Sequence, residues 1–123
     1  MISLENVKKV ALVGASGNKS KFGYKILKDL MHKNFEMYPV SPNYEELEGL
    51  KVFKDVSELP KDTDLIVFVV PAKIGIEVAK KAYENGHRNL WFQPGAESKE
   101  LETYIKSLKD VNYSFINCIM VET

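Results

Sequence analysis

Hydrophobic positions along this chain alternate between two rhythms. Lys8-Lys9-Val10-Ala11-Leu12-Val13 is a short, nearly continuous apolar run that stops at Gly14, the pattern of a strand buried on both faces of a parallel sheet. Phe22, Ile26, Leu27, Leu30 and Met31 then recur at helical spacing, with Lys25, Lys28, Asp29 and Lys33 on the other face, which predicts an amphipathic helix ending near Asn34. A second strand runs from Phe35 to Val40, and Pro39 within it requires an irregularity or a position where no amide is needed. Ser41 to Leu50 reads as a turn-rich loop and Val52-Phe53 as a short strand. Leu65 to Val70 is the most apolar run and is predicted at the centre of the sheet. After Pro71 the helical period returns at Gly75, Val78, Ala79, Ala82 and Tyr83 and closes at Gly86, with proline at the start and glycine past the end. Asn89 to Phe92 predicts a strand. Leu101, Tyr104, Ile105 and Leu108 mark a third helix, with Ser98 as its cap and Glu100 and Glu102 near its positive end. Tyr113 to Ile116 is the last strand.

Regular alternation of strand and helix implies right-handed crossovers and an α/β fold: Rossmann-like, doubly wound, with a mainly parallel sheet and helices on both faces. With Val52-Phe53 counted, six strands suit the order 3-2-1-4-5-6, and ligands of such folds bind outside the carboxyl ends of the strands, where strands one and four diverge. The functional loops are then those beginning at Gly14, Val40, Val70, Phe92 and Ile116. A length of 123 residues, without repeat or linker, predicts a single domain over residues 1–123.

Charge adds an exclusion. Seventeen basic and 17 acidic residues balance, so bulk electrostatics favours neither nucleic acid nor an anionic membrane, and any anion must be held locally. The start of the chain lacks a leader pattern and no apolar run approaches the roughly 20 residues of a membrane span, so a cytoplasmic protein is expected. Cys118 is the only cysteine, which argues against an internal disulfide or a cysteine-based metal site. His32 and His87 both fall at the amino ends of strands, opposite the expected crevice, and read as surface residues without catalytic duty. Trp91 and Phe92 read as core.

The segment Gly14-Ala15-Ser16-Gly17-Asn18-Lys19-Ser20-Lys21-Phe22-Gly23 joins the first strand to the first helix. Glycines there let amides approach an anion, and the helix directs its positive end at the same place. A nucleoside-triphosphate P-loop would need glycine where Asn18 and Val13 stand, and the dinucleotide fingerprint begun at Gly14 would need glycine where Ser16 and Lys19 stand. An NAD site also calls for Asp or Glu at the end of the second strand, whereas this strand ends Tyr38-Pro39-Val40-Ser41-Pro42.

In order along the chain, Val13-Gly14-Ala15-Ser16, Lys21-Phe22-Gly23-Tyr24, Tyr38-Pro39-Val40-Ser41-Pro42-Asn43, Val70-Pro71-Ala72, Trp91-Phe92-Gln93-Pro94-Gly95-Ala96 and Asn117-Cys118 each follow or open a predicted element. In this series the chain resembles the small stand-alone CoA-binding proteins of bacteria and archaea, themselves similar to the CoA-binding domain of succinyl-CoA synthetase alpha chains. The resemblance implies that Gly14, Ala15, Ser16, Lys19, Ser20 and Lys21 hold a pyrophosphate, with Phe22 and Gly23 opening the helix below it. It places Val40, Ser41, Pro42 and Asn43 at the adenosine end, Val70, Pro71 and Ala72 along the crevice wall, and Gln93, Pro94 and Gly95 along the pantetheine arm. An uncharged end to the second strand also tolerates a ribose 3′-phosphate, which a carboxylate would repel.

The implied function is a noncatalytic coenzyme A binding module, a carrier, sensor or partner-dependent subunit, that takes CoA or acyl-CoA; the sequence leaves a protein partner or a homo-oligomer open. The alternative is an NAD- or acyl-CoA-dependent enzyme using the same crevice. Cys118 follows the last strand at its carboxyl end. It reads either as a buried core cysteine or as a thiol that could exchange with that of CoA.

Overall fold

The computed structural model describes residues 2–123. A five-stranded, wholly parallel sheet forms its centre, made of β1 (Lys9–Val13), β2 (Glu36–Val40), β5 (Leu65–Phe68), β6 (Asn89–Phe92) and β7 (Asn112–Ser114) in the order β2-β1-β5-β6-β7. Phe53 adds a single parallel bridge outside β2, at Val40. Counting that bridge as the third strand reproduces 3-2-1-4-5-6, with the edge strand reduced to one residue.

Side-chain alternation explains the unbroken apolar runs. Ala11, Val13, Ile66, Phe68, Leu90 and Phe92 face one layer with α2 (Ala72–Glu84) and α3 (Lys99–Lys106), whereas Val10, Leu12, Leu65, Val67 and Trp91 face the other with α1 (Phe22–His32) and α4 (Ile119–Glu122). Both faces are covered, so residues 10–13 and Leu65–Phe68 are apolar at every position, and the polar strand residues Lys9, Glu36, Asn89 and Asn112 stand at the strands' first positions. Trp91 and Phe92 are buried, as read. Phe68, Phe92 and Phe115 stack in a row, with ring centroids 4.4 and 4.9 Å apart.

Pro39 sits where its missing amide costs nothing. Its carbonyl accepts from Phe53 N on the outer side of β2, so its nitrogen also faces that sparse edge, while the next residue's carbonyl, that of Val40, accepts Gly14 N on the β1 side. The Ser41–Leu50 stretch holds an unforeseen hairpin, β3 (Glu46–Leu47) with β4 (Leu50–Lys51). Several boundaries also differ from the sequence reading: the second strand starts at Glu36, the central strand ends at Phe68, and the last strand is Asn112–Ser114 rather than Tyr113 to Ile116. After it, α4 forms where no helix was read.

Two helices end in the same way. In α1, Asn34 takes φ 68° and donates to Met31 O, while Phe35 N reaches Leu30 O; in α2, Gly86 takes φ 91° and donates to Tyr83 O, while His87 N reaches Ala82 O. This paired closure turns the second residue past the cap inward. It corrects the surface reading of His87, which is 6% exposed, with Nε2 buried and unpartnered. Burial lowers the His87 pKa below its usual 6.5, and the Lys61 and Arg88 charges lower it further. The unfolded chain therefore binds the extra proton more readily. Stability contributed by the neutral ring is complete above about pH 6.5 and is lost as pH falls through the folded-state value. Unfolding midpoints from pH 7.5 to 4.5 should show this decline, and His87→Leu should flatten it; an unchanged acid limb in the variant would remove His87 as its cause.

Candidate functional site

The loop between β1 and α1 is shaped by two glycines. Gly14 takes φ +99°, and a Cβ there would lie 2.8 Å from Val70 Cγ1. Gly23, in the first turn of α1, presses on the loop so closely that a Cβ would stand 2.1 Å from Gly14 O. Gly23 thus performs the close strand–helix packing that the last glycine of a dinucleotide fingerprint performs, at a spacing the fingerprint does not contain.

Between these glycines the loop is held by its own polar groups. Asn18 N donates to Ser16 Oγ at 3.0 Å, Ser20 N to Asn18 Oδ1 at 3.0 Å and Lys21 N to Asn18 O at 3.0 Å. Among the described residues the amides of Ala15, Ser16, Phe22 and Gly23 have no protein acceptor, and no side chain caps α1. Free amides at a helix's positive end form an anion-binding cradle. The N-terminus of α2, after Pro71, also lacks a side-chain cap.

These elements border a cleft of about 790 Å³ at the carboxyl ends of β1, β2 and β5, where the sheet order reverses. Of the residues singled out in the sequence, Gly14, Ala15, Ser16, Ser20, Lys21, Phe22, Gly23, Val40, Ser41, Pro42, Asn43, Val70 and Pro71 line it. Lys19, Ala72, Gln93, Pro94, Gly95 and Cys118 do not. Gln93 is committed elsewhere. Its Oε1 accepts from Trp91 Nε1 at 3.1 Å and Ile119 N at 2.7 Å, and its Nε2 donates to Cys118 Sγ at 3.3 Å. It ties the C-terminal segment to β6, and Cys118, at the cap of α4, is half-buried rather than in the core.

Sequence reasoning passed over Tyr44, Lys54, Asp55, Ile74 and Val78, which also line the cleft. Lys54 and Asp55 follow Phe53 directly. Having counted Val52-Phe53 as a strand, the carboxyl-end rule would have flagged them. Tyr44 bridges the two halves of the wall: its hydroxyl lies 3.5 Å from Ser16 Oγ, and its carbonyl accepts from Lys54 Nζ at 3.0 Å. Hydrogen bonding to Ser16 and the Gly17 amide, with the Lys21 charge, lowers the Tyr44 pKa below its usual 10. Asp55 is held below the ordinary carboxylate value by the Ser57 hydroxyl, with a further contribution from Lys81, whose Nζ lies 3.5 Å away. The cleft therefore offers two lysines, unpaired amides and one carboxylate already occupied by its own neighbours.

A family model described as a CoA binding domain matches residues 8–123. The chain belongs to that family. The CoA-binding domain is related to ADP-forming acetate–CoA ligases: it is 35% identical over 119 residues to that of Methanocaldococcus jannaschii, covering 91% of this chain and 17% of the ligase. Against the alpha subunit of acetate–CoA ligase I from Pyrococcus furiosus it is 39% identical over 90 residues, covering 68% of this chain and 20% of the subunit. It thus spans no more than a fifth of the length of these curated relatives. A solved structure, a conserved hypothetical protein from P. furiosus, superposes with a TM-score of 0.92 at 59% identity, covering 94% of this chain and 99% of that one. Among the described residues, no helix of the CoA-binding domain is long and apolar enough to cross a membrane.

Proposed function

We propose that residues 1–123 act as one domain that binds coenzyme A noncatalytically and presents it to a partner, as a carrier, sensor or partner-dependent subunit. The observation that carries this reading is the Gly14–Gly23 cradle, with four amides free, opening into a cleft of about 790 Å³ in a CoA-binding family member. The donor set fits a pyrophosphate. Ala15, Ser16, Phe22 and Gly23 would supply amides, and Lys21 a charge at the same end. Val40, Ser41, Pro42 and Asn43 would flank the adenosine, and Val70, Pro71 and Ile74 the apolar wall of the pantetheine path.

CoA supplies a thiol able to carry acyl groups, and this domain's contribution is to grip the nucleotide and orient the arm. This chain matches no more than a fifth of the length of the acetate–CoA ligases among its relatives, which supports assigning any ligase chemistry to a separate domain or subunit. NAD fits less well. No carboxylate stands at the end of β2 to receive ribose hydroxyls, since Val40 is followed by Ser41, itself buried and accepting from Asn43 N at 3.2 Å.

Lys21→Glu tests the placement of the phosphates. Replacing attraction by repulsion beside a bound pyrophosphate should weaken CoA by roughly 100-fold in calorimetric titration, while the exposed Lys21 leaves the melting temperature nearly unchanged. Lys19→Glu, outside the cleft, should cost far less. Equal losses from both variants would mean that the general field, not this cradle, holds the ligand.

A further inference from the structure

The cleft contains a second cationic position that the phosphate cradle does not explain. Lys54 leaves the sheet immediately after the Phe53 bridge, and its Nζ donates to Tyr44 O at 3.0 Å. The same tyrosine reaches back with its hydroxyl to within 3.5 Å of Ser16 Oγ in the cradle. One tyrosine thus spans the interval between the cradle and the Lys54 ammonium. Among the described residues Lys54 forms no ion pair, although carboxylates lie close by in sequence. Glu58 Oε1 is taken up at the backbone, 3.4 Å from Lys54 N, and Asp55 is matched by Ser57 and by Lys81 at 3.5 Å. Lys54 is left as a uncommitted positive charge in a cleft wall, held in position through a neutral carbonyl.

We infer that Lys54 is a specificity-determining residue that recognises a phosphomonoester on the ribose, one sugar away from the pyrophosphate, and so selects 3′-phosphorylated CoA over dephospho-CoA. The inference rests on the CoA reading of the cleft. Its chemistry is that of a compact ammonium facing a doubly charged group, with the aromatic wall of Tyr44 setting the separation from the cradle. A pyrophosphate alone would use Lys21 and the loop amides and leave Lys54 without a task. Asp55, satisfied by its own partners, sits beside Lys54 without cancelling it.

The test is a calorimetric titration of CoA and dephospho-CoA into the wild-type chain, Lys54→Gln and Lys21→Gln, with melting curves to show that each variant is folded. Wild type should prefer CoA by about tenfold or more. Lys54→Gln should lose that preference by weakening CoA about tenfold while leaving dephospho-CoA within about twofold. Lys21→Gln should weaken both ligands together and preserve their ratio, because the pyrophosphate is common to them. An unchanged ratio in Lys54→Gln, or an equal loss for both ligands, would overturn the inference and leave the CoA reading intact. A wild-type chain that binds neither ligand would overturn both.

Discussion

Gly23→Ala is expected to be among the most damaging single substitutions in this chain, although it adds one methyl group. The new Cβ would stand 2.1 Å from Gly14 O, 3.2 Å from Gly14 C and 3.3 Å from Ser16 N, and all three are backbone atoms of the very turn it would have to displace. No rotamer relieves a Cβ clash. Either α1 slides away from β1, opening the layer packed around Ile26, Leu27 and Leu30, or the Gly14–Ser16 turn moves and the cradle is lost. Overpacking of this kind costs about 3 kcal/mol, and against backbone the cost rises further. At this chain length that lowers the melting temperature by roughly 10 °C. CoA binding should fall below detection even at temperatures where the variant is folded. A variant that melts and binds like the wild type would show that strand and helix are not in the contact described.

Phe92→Ala should cost as much stability and leave the ligand nearly untouched. Phe92 is fully buried between Phe68, at 4.4 Å and 20°, and Phe115, at 4.9 Å and 13°. Its removal strips the middle ring from a row joining β5, β6 and the segment after β7. Large-to-small changes at such positions cost about 3–5 kcal/mol, a melting decrease of roughly 10–20 °C. The ring belongs to the layer packed on α2 and α3, not to the cleft wall. Affinity measured well below the melting point should therefore stay within about threefold. Loss of binding without loss of stability would contradict this division between core and site.

The contrast between these positions tracks what was legible in the sequence. Phe92 announced itself, because a strand covered on both faces reads as an unbroken apolar run. Gly14 was legible for the same reason, as the point where such a run stops. Gly23 was visible as a helix-opening residue, but its contact with Gly14 O is a tertiary distance that no spacing rule encodes. The hairpin β3–β4 was hidden because two-residue strands carry no period. Its signal lay in the turn Glu48-Gly49, where both residues have positive φ, at 51° and 80°, the geometry of a tight two-residue hairpin. That hairpin orders the segment after Tyr44 and so helps form the wall that includes Tyr44 and Lys54.

The burial of His87 and the hydrogen bonds of Gln93 were hidden for a different reason. A polar residue past a helix end is usually solvated, but the cap formed by Gly86 turns His87 inward, where it is buried. Gln93, placed along the pantetheine arm by resemblance, spends its side chain on Trp91, Ile119 and Cys118. The α4 turn it holds is only four residues long, too short for periodicity to reveal. Residues whose role depends on a local run were readable, whereas those whose role depends on a partner far along the chain were not.

The central claim is that the cleft between β1 and β5 is a coenzyme A site rather than a dinucleotide site. Titration calorimetry of the purified, ligand-free chain with CoA and with NAD, under the same buffer and salt, tests it most directly. The account predicts a saturable one-to-one heat with CoA and none with NAD; saturable binding of NAD with no heat from CoA would contradict it.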